Sequence, residues 1–456
     1  MTTVTLSVTT TSRPVLGNGG GGGGAIPPSN TVAPVISGSS DIGSVLSTTD
    51  GTWSGTIPIT YTYQWKRNGV SILGATASTY TLVVADYNLP ITCEVTATNI
   101  AGSASATSNA ITCTGVAPAN TVAPVISGTP TVGQTLSSTT GTWTGNPSPT
   151  YTYQWKRGAS NISGATSSTY TLVQADATFA ITCVVTATNV VGSANATSNS
   201  VTVFDADAQA FITAATITDN TQKNAVNQLT VDLKSASIWT KMKAIYPFVG
   251  GTATTHKWNL KDPQDTNAAF RLVFSGGWTH SSTGATPNGV NAYADTFLVP
   301  NSVLSQNSTH ISYYSRINSN LTEIEIGASN GPNATDNKLV LEIRTSNVTY
   351  YNINSTTTYI SHADTDSRAF YIGNRTASNV VNGWRNSSKL ATGTTASTTP
   401  STANVYLCAF NRVGSVVFYS TKQCAFASLG DGLTDTDASN FYTAVQNFNT
   451  TLGRQV

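Results

Sequence analysis

The pattern of apolar and polar positions changes character near residue 204. Before it, short runs alternate with period two, as in Thr60-Tyr61-Thr62-Tyr63-Gln64-Trp65 and Ile91-Thr92-Cys93-Glu94-Val95-Thr96-Ala97. Successive side chains of an extended strand point to opposite faces, so this alternation predicts strands with one face inward. Turn formers separate the runs: Asn68-Gly69, Gly74-Ala75-Thr76, and Asn99 with Gly102. The sum is an antiparallel sandwich. After residue 204 the chain opens and closes on helical spacing. In the first helix Asp219 serves as cap, Gln222 as its capping-box partner, and Val226, Leu229 and Leu233 as the buried stripe. In the last, Thr434 caps, Asp437 completes the box, Phe441, Val445, Phe448 and Leu452 face inward, and Gly453 stops the helix. Between them lie about eight to twelve strand-like runs, which predict a second, larger sandwich with peripheral helices.

The first part repeats itself. NTVAPVISG recurs at Asn30 and Asn120, TYTYQWKR at Thr60 and Thr150, and Trp53, Trp65 and Cys93 each return 90 positions later as Trp143, Trp155 and Cys183. A period of that length without helical pattern is a whole small β domain. Two modules are therefore placed at 28–114 and 118–204, with a third domain at 205–456. The four tryptophans are expected in the module cores. Residues 1–27 stand apart: Val4, Leu6 and Val8 alternate like one strand, and a glycine run at 19–24 leads to Pro27-Pro28. We expect an arm that anchors the chain by adding a strand to another protein.

Composition narrows the function more than the fold. The 456 residues carry 22 basic against 21 acidic side chains, a net charge of +1, and only 9% of the chain is charged. That balance excludes a polybasic nucleic-acid binder and leaves long-range steering no role. No run approaches the roughly 18 apolar residues of a membrane span, and the opening MTTVTLSVTTTSRP predicts no standard secretory signal. Five scattered cysteines without C-x-x-C spacing predict neither a disulfide framework nor structural zinc.

Gly43-x-x-Leu46, Gly51-x-Trp53, Tyr63-Gln64-Trp65, Asp86 and Cys93 together resemble a bacterial or phage immunoglobulin-like domain. The resemblance implies that Trp65 is the core tryptophan of strand C and Cys93 lies on strand F. Leu46 stands where the partner cysteine of antibody domains would be, so Cys93 and Cys183 read as buried thiols. In the last domain, Pro287-Asn288-Gly289-Val290-Asn291-Ala292-Tyr293 with Leu298-Val299-Pro300, Gly383-Trp384-Arg385-Asn386 with Lys389-Leu390, and Leu429-Gly430 on to Tyr442 are similar to the concanavalin A-like lectin/glucanase fold in its laminin-G or pentraxin-like form. The fold class that follows is all-β: two tandem immunoglobulin-like sandwiches, then a larger jelly-roll sandwich with peripheral helices. The segments around Tyr246-Pro247-Phe248 and Phe274 to His280 look like domains of tailed-bacteriophage virion proteins.

Candidate chemistry is sparse. Glycoside hydrolysis needs two carboxylates across a cleft. Glu323-Ile324-Glu325 supplies two on one strand face, but the third acid of the glucanase motif is missing and the pair is expected on a solvated face. Asp431, Asp435 and Asp437, or Asp364 and Asp366, are spaced for oxygen ligation, and the pentraxin-like resemblance admits a structural calcium ion without assigning ligands. The four histidines, His256, His280, His310 and His362, form no zinc or triad motif. Sugar binding needs flat aromatic faces and neutral polar groups. Trp278, His280, Asn288, Tyr293, Trp384 and Arg385 are the candidate contacts, with Trp278 and Trp384 expected in loops beside glycines.

These readings lead us to expect a non-enzymatic fibre or decoration protein of a phage virion, made in the host cytoplasm and exposed on the particle surface. Its partners would be other virion proteins through residues 1–27, a host-surface glycan, and copies of itself, with a trimer the natural state of a fibre. No nucleic acid or membrane partner is expected. The alternatives are a secreted bacterial adhesin or carbohydrate-binding protein, and a polysaccharide depolymerase.

Overall fold

The computed structural model describes residues 23–333, 335–356, 359–413 and 415–456. Most of the expected anchoring arm, residues 1–22, lies outside the described residues. The chain is all-β with peripheral helices, and its contacts divide it into two compact units. One contains residues to 124 with 140–152 and 185–196, the other 125–139, 153–184 and 197–456.

In the first unit, the strand Thr60–Arg67 pairs antiparallel with Pro90–Asn99 over its whole length, from Thr60 opposite Thr98 to Arg67 opposite Ile91. The facing sheet runs Ile36–Ser37, Val45–Thr48, Thr79–Thr81. Between them sit Ile36, Leu46, Trp65, Ile91, Cys93 and Val95. This is the immunoglobulin-like sandwich, held around Trp65, whose indole donates to the Ala77 carbonyl at 2.9 Å and stacks on Tyr80 at 5.5 Å. Below it Asp86 is fully buried yet satisfied, accepting from Arg67 Nε (2.6 Å), the Tyr80 hydroxyl (3.0 Å) and the Val83 amide (2.7 Å). In the other unit Trp155, Arg157, Tyr170 and Asp176 repeat this arrangement. Trp53 and Trp143 depart from expectation. Both are half-buried at the module rims, each tying a turn through its indole N–H to a carbonyl three residues back at 2.7 Å. Each lies on a short strand pairing with the module's first strand, outside the two facing sheets.

The last domain stacks two sheets. One runs Trp278–Ser281, Gly284–Pro287, Cys424–Gly430, Thr309–Ser315, Ala369–Ala377, Val380–Arg385, Ser388–Gly393, with Met242–Tyr246 also on Cys424–Gly430. The other includes Tyr293–Asp295, Ile326–Ser329, Lys338–Thr345 and Val348–Ser355. Ile311, Tyr313, Tyr371 and Leu429 from the first meet Leu339, Leu341 and Ile353 from the second. Neighbouring residues Tyr314, Phe370, Ile372 and Phe426 point to the other face, where helices Asn220–Ser235 and Asp435–Thr451 cover them with Val226, Leu229, Leu233, Phe441, Val445 and Phe448. The period-two alternation thus survives with both faces apolar, which marks a sheet packed on two sides.

The caps Asp219 and Thr434 form as expected, and Gly453 ends the last helix at φ +64°. Gln222 does not complete a capping box: its side-chain oxygen accepts from the Gly250 amide instead, at 2.7 Å. Helix Ala206–Ala214, capped by buried Asp205, was not expected from the sequence. The strand runs were undercounted, because the described residues hold seventeen strands after residue 204, several only two or three residues long.

Candidate functional site

Three of the six proposed sugar contacts, Trp278, His280 and Asn288, come together at one edge of the first sheet, and Tyr293 borders them from the facing sheet, its carbonyl 3.3 Å from the Trp278 indole nitrogen. Gly276 takes φ +77°, and a Cβ there would sit 2.1 Å from the Asn291 carbonyl, so only glycine allows the turn that brings Trp278 onto the edge strand Trp278–Ser281. Trp278 is half-buried. Its indole N–H donates to the Ser275 carbonyl at 2.9 Å, one face lies toward His280 (6.1 Å between centroids, 26°), and Phe274 meets it edge-on at 5.2 Å. Asn288 organises the adjacent exposed turn. Its side-chain oxygen accepts from the amides of Val290, Asn291 and Ala292 at 3.0–3.2 Å, and its amide donates to Asn291. Tyr293 is half-buried and stacks on Tyr406 at 4.6 Å.

His280 is fixed from below. Its Nδ1 faces His256 Nδ1 at 3.0 Å, and the Gly251 amide donates to His256 Nε2 at 3.2 Å. His256 therefore carries its proton on Nδ1 and donates it to His280, which leaves the His280 proton on Nε2. Burial holds His256 down to about 3 and also lowers His280, so both rings are neutral at physiological pH. The edge thus presents an indole flank, an imidazole and two carboxamides without net charge.

Trp384 and Arg385 do not join this edge. Trp384 lies in the strand Val380–Arg385, is 5% exposed, and packs under the helices. Gly383 beside it marks no loop: a Cβ there would sit 2.4 Å from the Tyr351 ring, so glycine is required by close packing across the sandwich. Four strands separate this one from the Trp278 edge, which at the usual spacing is roughly 24 Å. Arg385 turns into a local network, reaching the Asp366 carbonyl (2.8 Å) and the Tyr371 hydroxyl (3.3 Å), which itself donates to buried Asp364 at 2.6 Å.

The acids do not fit a calcium ion. Asp431 pairs with Lys243, Asp435 with Lys389 and Asp437 with Lys241, while Asp364 holds Tyr371 and Thr349, and Asp366 holds Arg368. Their oxygens are committed to separate cations and hydroxyls. Among the described residues no three His, Cys, Asp or Glu side chains converge on one point.

The Glu323-Ile324-Glu325 pair is also corrected. Far from a solvated face, Glu323 is 3% and Glu325 0% exposed, and both reach buried Lys422, at 2.8 and 3.2 Å. Glu325 further accepts from the Ile343 amide (2.6 Å) and the Ser420 hydroxyl (3.0 Å), and Glu323 from the Thr421 hydroxyl (2.6 Å). Burial pushes the Glu325 carboxyl up to about 7 against the pull of Lys422. Carboxylates enclosed in this way face no substrate cleft. Lys422 escaped the sequence reading. Its one signal is a lysine set between Val416-Val417-Phe418-Tyr419 and Cys424-Ala425-Phe426-Ala427.

No family model matches the chain, and no curated protein matches it. Among solved structures it is similar to Sidekick-1 immunoglobulin domains 1-5, with 22% identity over 40% of each chain and a TM-score of 0.22. It is also similar to a NanB sialidase mutant from Streptococcus pneumoniae, with 15% identity over 36% of this chain and 27% of that one and a TM-score of 0.29. An I-band fragment of titin aligns at 19% identity over 39% of this chain and 66% of the fragment, with a TM-score of 0.16. The chain spans less than half the length of the first two.

Proposed function

We propose that this chain is an adhesion fibre or decoration protein of a phage virion. Residues 1–27 anchor it to the particle, the two immunoglobulin-like modules act as a spacer, and the last domain contacts host-surface carbohydrate. The observation that carries the sugar-binding part is the uncharged edge of Trp278, His280, Asn288 and Tyr293, a flank of aromatic rings beside exposed carboxamides. A pyranose offers that surface its C–H face and its hydroxyls. Weak single-site affinity would be raised by about 10²–10⁴ when several copies engage one polymer. The virion placement rests on the sequence resemblance, and recovery of the chain with purified particles distinguishes it from a secreted adhesin.

In affinity electrophoresis through gels containing host polysaccharide, the full chain should be retarded. Trp278→Ala should lose at least about tenfold in affinity, the scale of one aromatic contact, while Lys389→Ala, on the far strand, should migrate as the parent does. Equal retardation of the parent and Trp278→Ala would remove the edge from the account.

A further inference from the structure

The enclosed group of Lys422, Glu323 and Glu325 joins the two sheets of the last domain. Glu323 and Glu325 precede the strand Ile326–Ser329 of one sheet, and Lys422 precedes Cys424–Gly430 of the other, 99 residues on from Glu323. The Lys422 and Glu325 side chains have no exposure and that of Glu323 4%. The wall around them includes the Tyr313 hydroxyl, which donates to the Lys422 carbonyl at 2.7 Å, and the Cys408 thiol, 3.2 Å from that hydroxyl.

One amine facing two carboxyls leaves a surplus negative charge unless one carboxyl holds a proton, and a medium of low dielectric favours the uncharged arrangement. Against the downward pull of burial, Glu325 and Glu323 hold the Lys422 amine above its ordinary value, so the reactant pair of amide formation, a neutral amine beside a protonated carboxyl, is reached by one proton transfer from Nζ to a carboxyl inside the enclosure. We propose that Lys422 Nζ and Glu323 Cδ condense spontaneously into an intramolecular amide, with Glu325 as the proton carrier. The nitrogen lone pair forms the new bond to Cδ. A carbon–oxygen bond of the Glu323 carboxyl breaks, and its oxygen leaves as water with the proton that Glu325 takes from nitrogen and delivers. One amine and one carboxylic acid become one amide and one water, with nothing oxidised or reduced. Glu323 is the electrophile because it lies nearer the amine, with its other oxygen held by Thr421. Glu325 is the proton carrier because it also touches the amine while its second oxygen is fixed by the Ile343 amide. The upward displacement of its carboxyl, to about 7, keeps it partly protonated at neutral pH. Fixed approach replaces the improbable encounter of such groups in water, where effective molarities of about 10⁵ M or more are reached. The product is a covalent tie between the sheets, independent of any sugar binding.

The test is the intact mass of the purified full chain, denatured and reduced. The parent should be lighter than its sequence by one water. A digest should contain one branched peptide that joins the segment with Glu323 to the segment with Lys422. Lys422→Arg and Glu325→Gln, checked for folding by circular dichroism, should have the full mass of their sequences. A parent at full mass with free Lys422 peptides overturns the proposal, as does water loss located anywhere else. Water loss retained in Glu325→Gln overturns the role given to Glu325.

Discussion

Relative to the chain in which no amide has formed, replacing Lys422 by methionine should destabilise the last domain by about 3–5 kcal/mol, the cost of removing one partner from a buried ion pair. Methionine fills much of the same volume, so the loss is electrostatic. Glu323 and Glu325 remain enclosed, with hydroxyl and amide donors but no cation. The cost should depend on pH in a definite direction. Glu325 has its folded value raised from 4.5 to about 7, so it contributes stability below the first value and loses it as pH rises through the second. Lys422 holds that value down, and without it the folded value moves further up. The variant should therefore lose more stability near about pH 8 than near about pH 5. Adding Glu325→Gln should recover part of the loss at the higher pH. Urea unfolding of the three chains at both pH values reads all of this. A Lys422→Met chain as stable as the parent at the higher pH would show that the carboxylates are solvated after all.

Arg454→Met should be comparably severe. Arg454 is fully buried and donates to the carbonyls of Phe248 (2.8 Å), Pro247 (2.6 Å) and Ala425 (2.8 Å) and to the Asn449 side chain (2.7 Å). Burial brings it down to about 9. It acts as a clamp of four hydrogen bonds, joining the loop at Pro247-Phe248 to the strand Cys424–Gly430 and the last helix. Each acceptor stranded in the interior costs about 1–3 kcal/mol, so a total of at least about 4 kcal/mol is expected even after relaxation. Arg454→Lys should rescue little, since one ammonium cannot reproduce the planar fork. Thermal unfolding of the full chain measures both. A shift of only a degree or two for Arg454→Met would contradict the clamp.

What the sequence made legible is what short-range patterns encode. Trp65 and Cys93 face each other on neighbouring strands, and both were placed in the core by what the immunoglobulin-like resemblance implied. Asp219 and Thr434 were legible because a cap is read within four residues. The failures that touch the candidate site concern contacts between distant segments. Period two put Glu323 and Glu325 on one face but could not say which, because the cation that draws them inward lies 99 and 97 residues away, respectively. Gly383 suggested a loop at Trp384, whereas the glycine answers a tyrosine ring on the opposite sheet. Trp278, His280 and Asn288 assembled because they lie within eleven residues on one hairpin and the turn that follows it, and Tyr293 borders them because the chain crosses to the facing sheet directly after that turn. Trp384 and Arg385, matched by residue type alone, fell four strands away.

We propose that this molecule works by presenting a surface, without breaking bonds in what it touches. One experiment tests that most directly: incubate the full chain with host polysaccharide and follow binding and reducing-end formation in the same sample. Retention on the polymer with no reducing ends above the blank is the predicted result. Steady release of reducing ends, abolished by Glu323→Gln or Glu325→Gln, would contradict it.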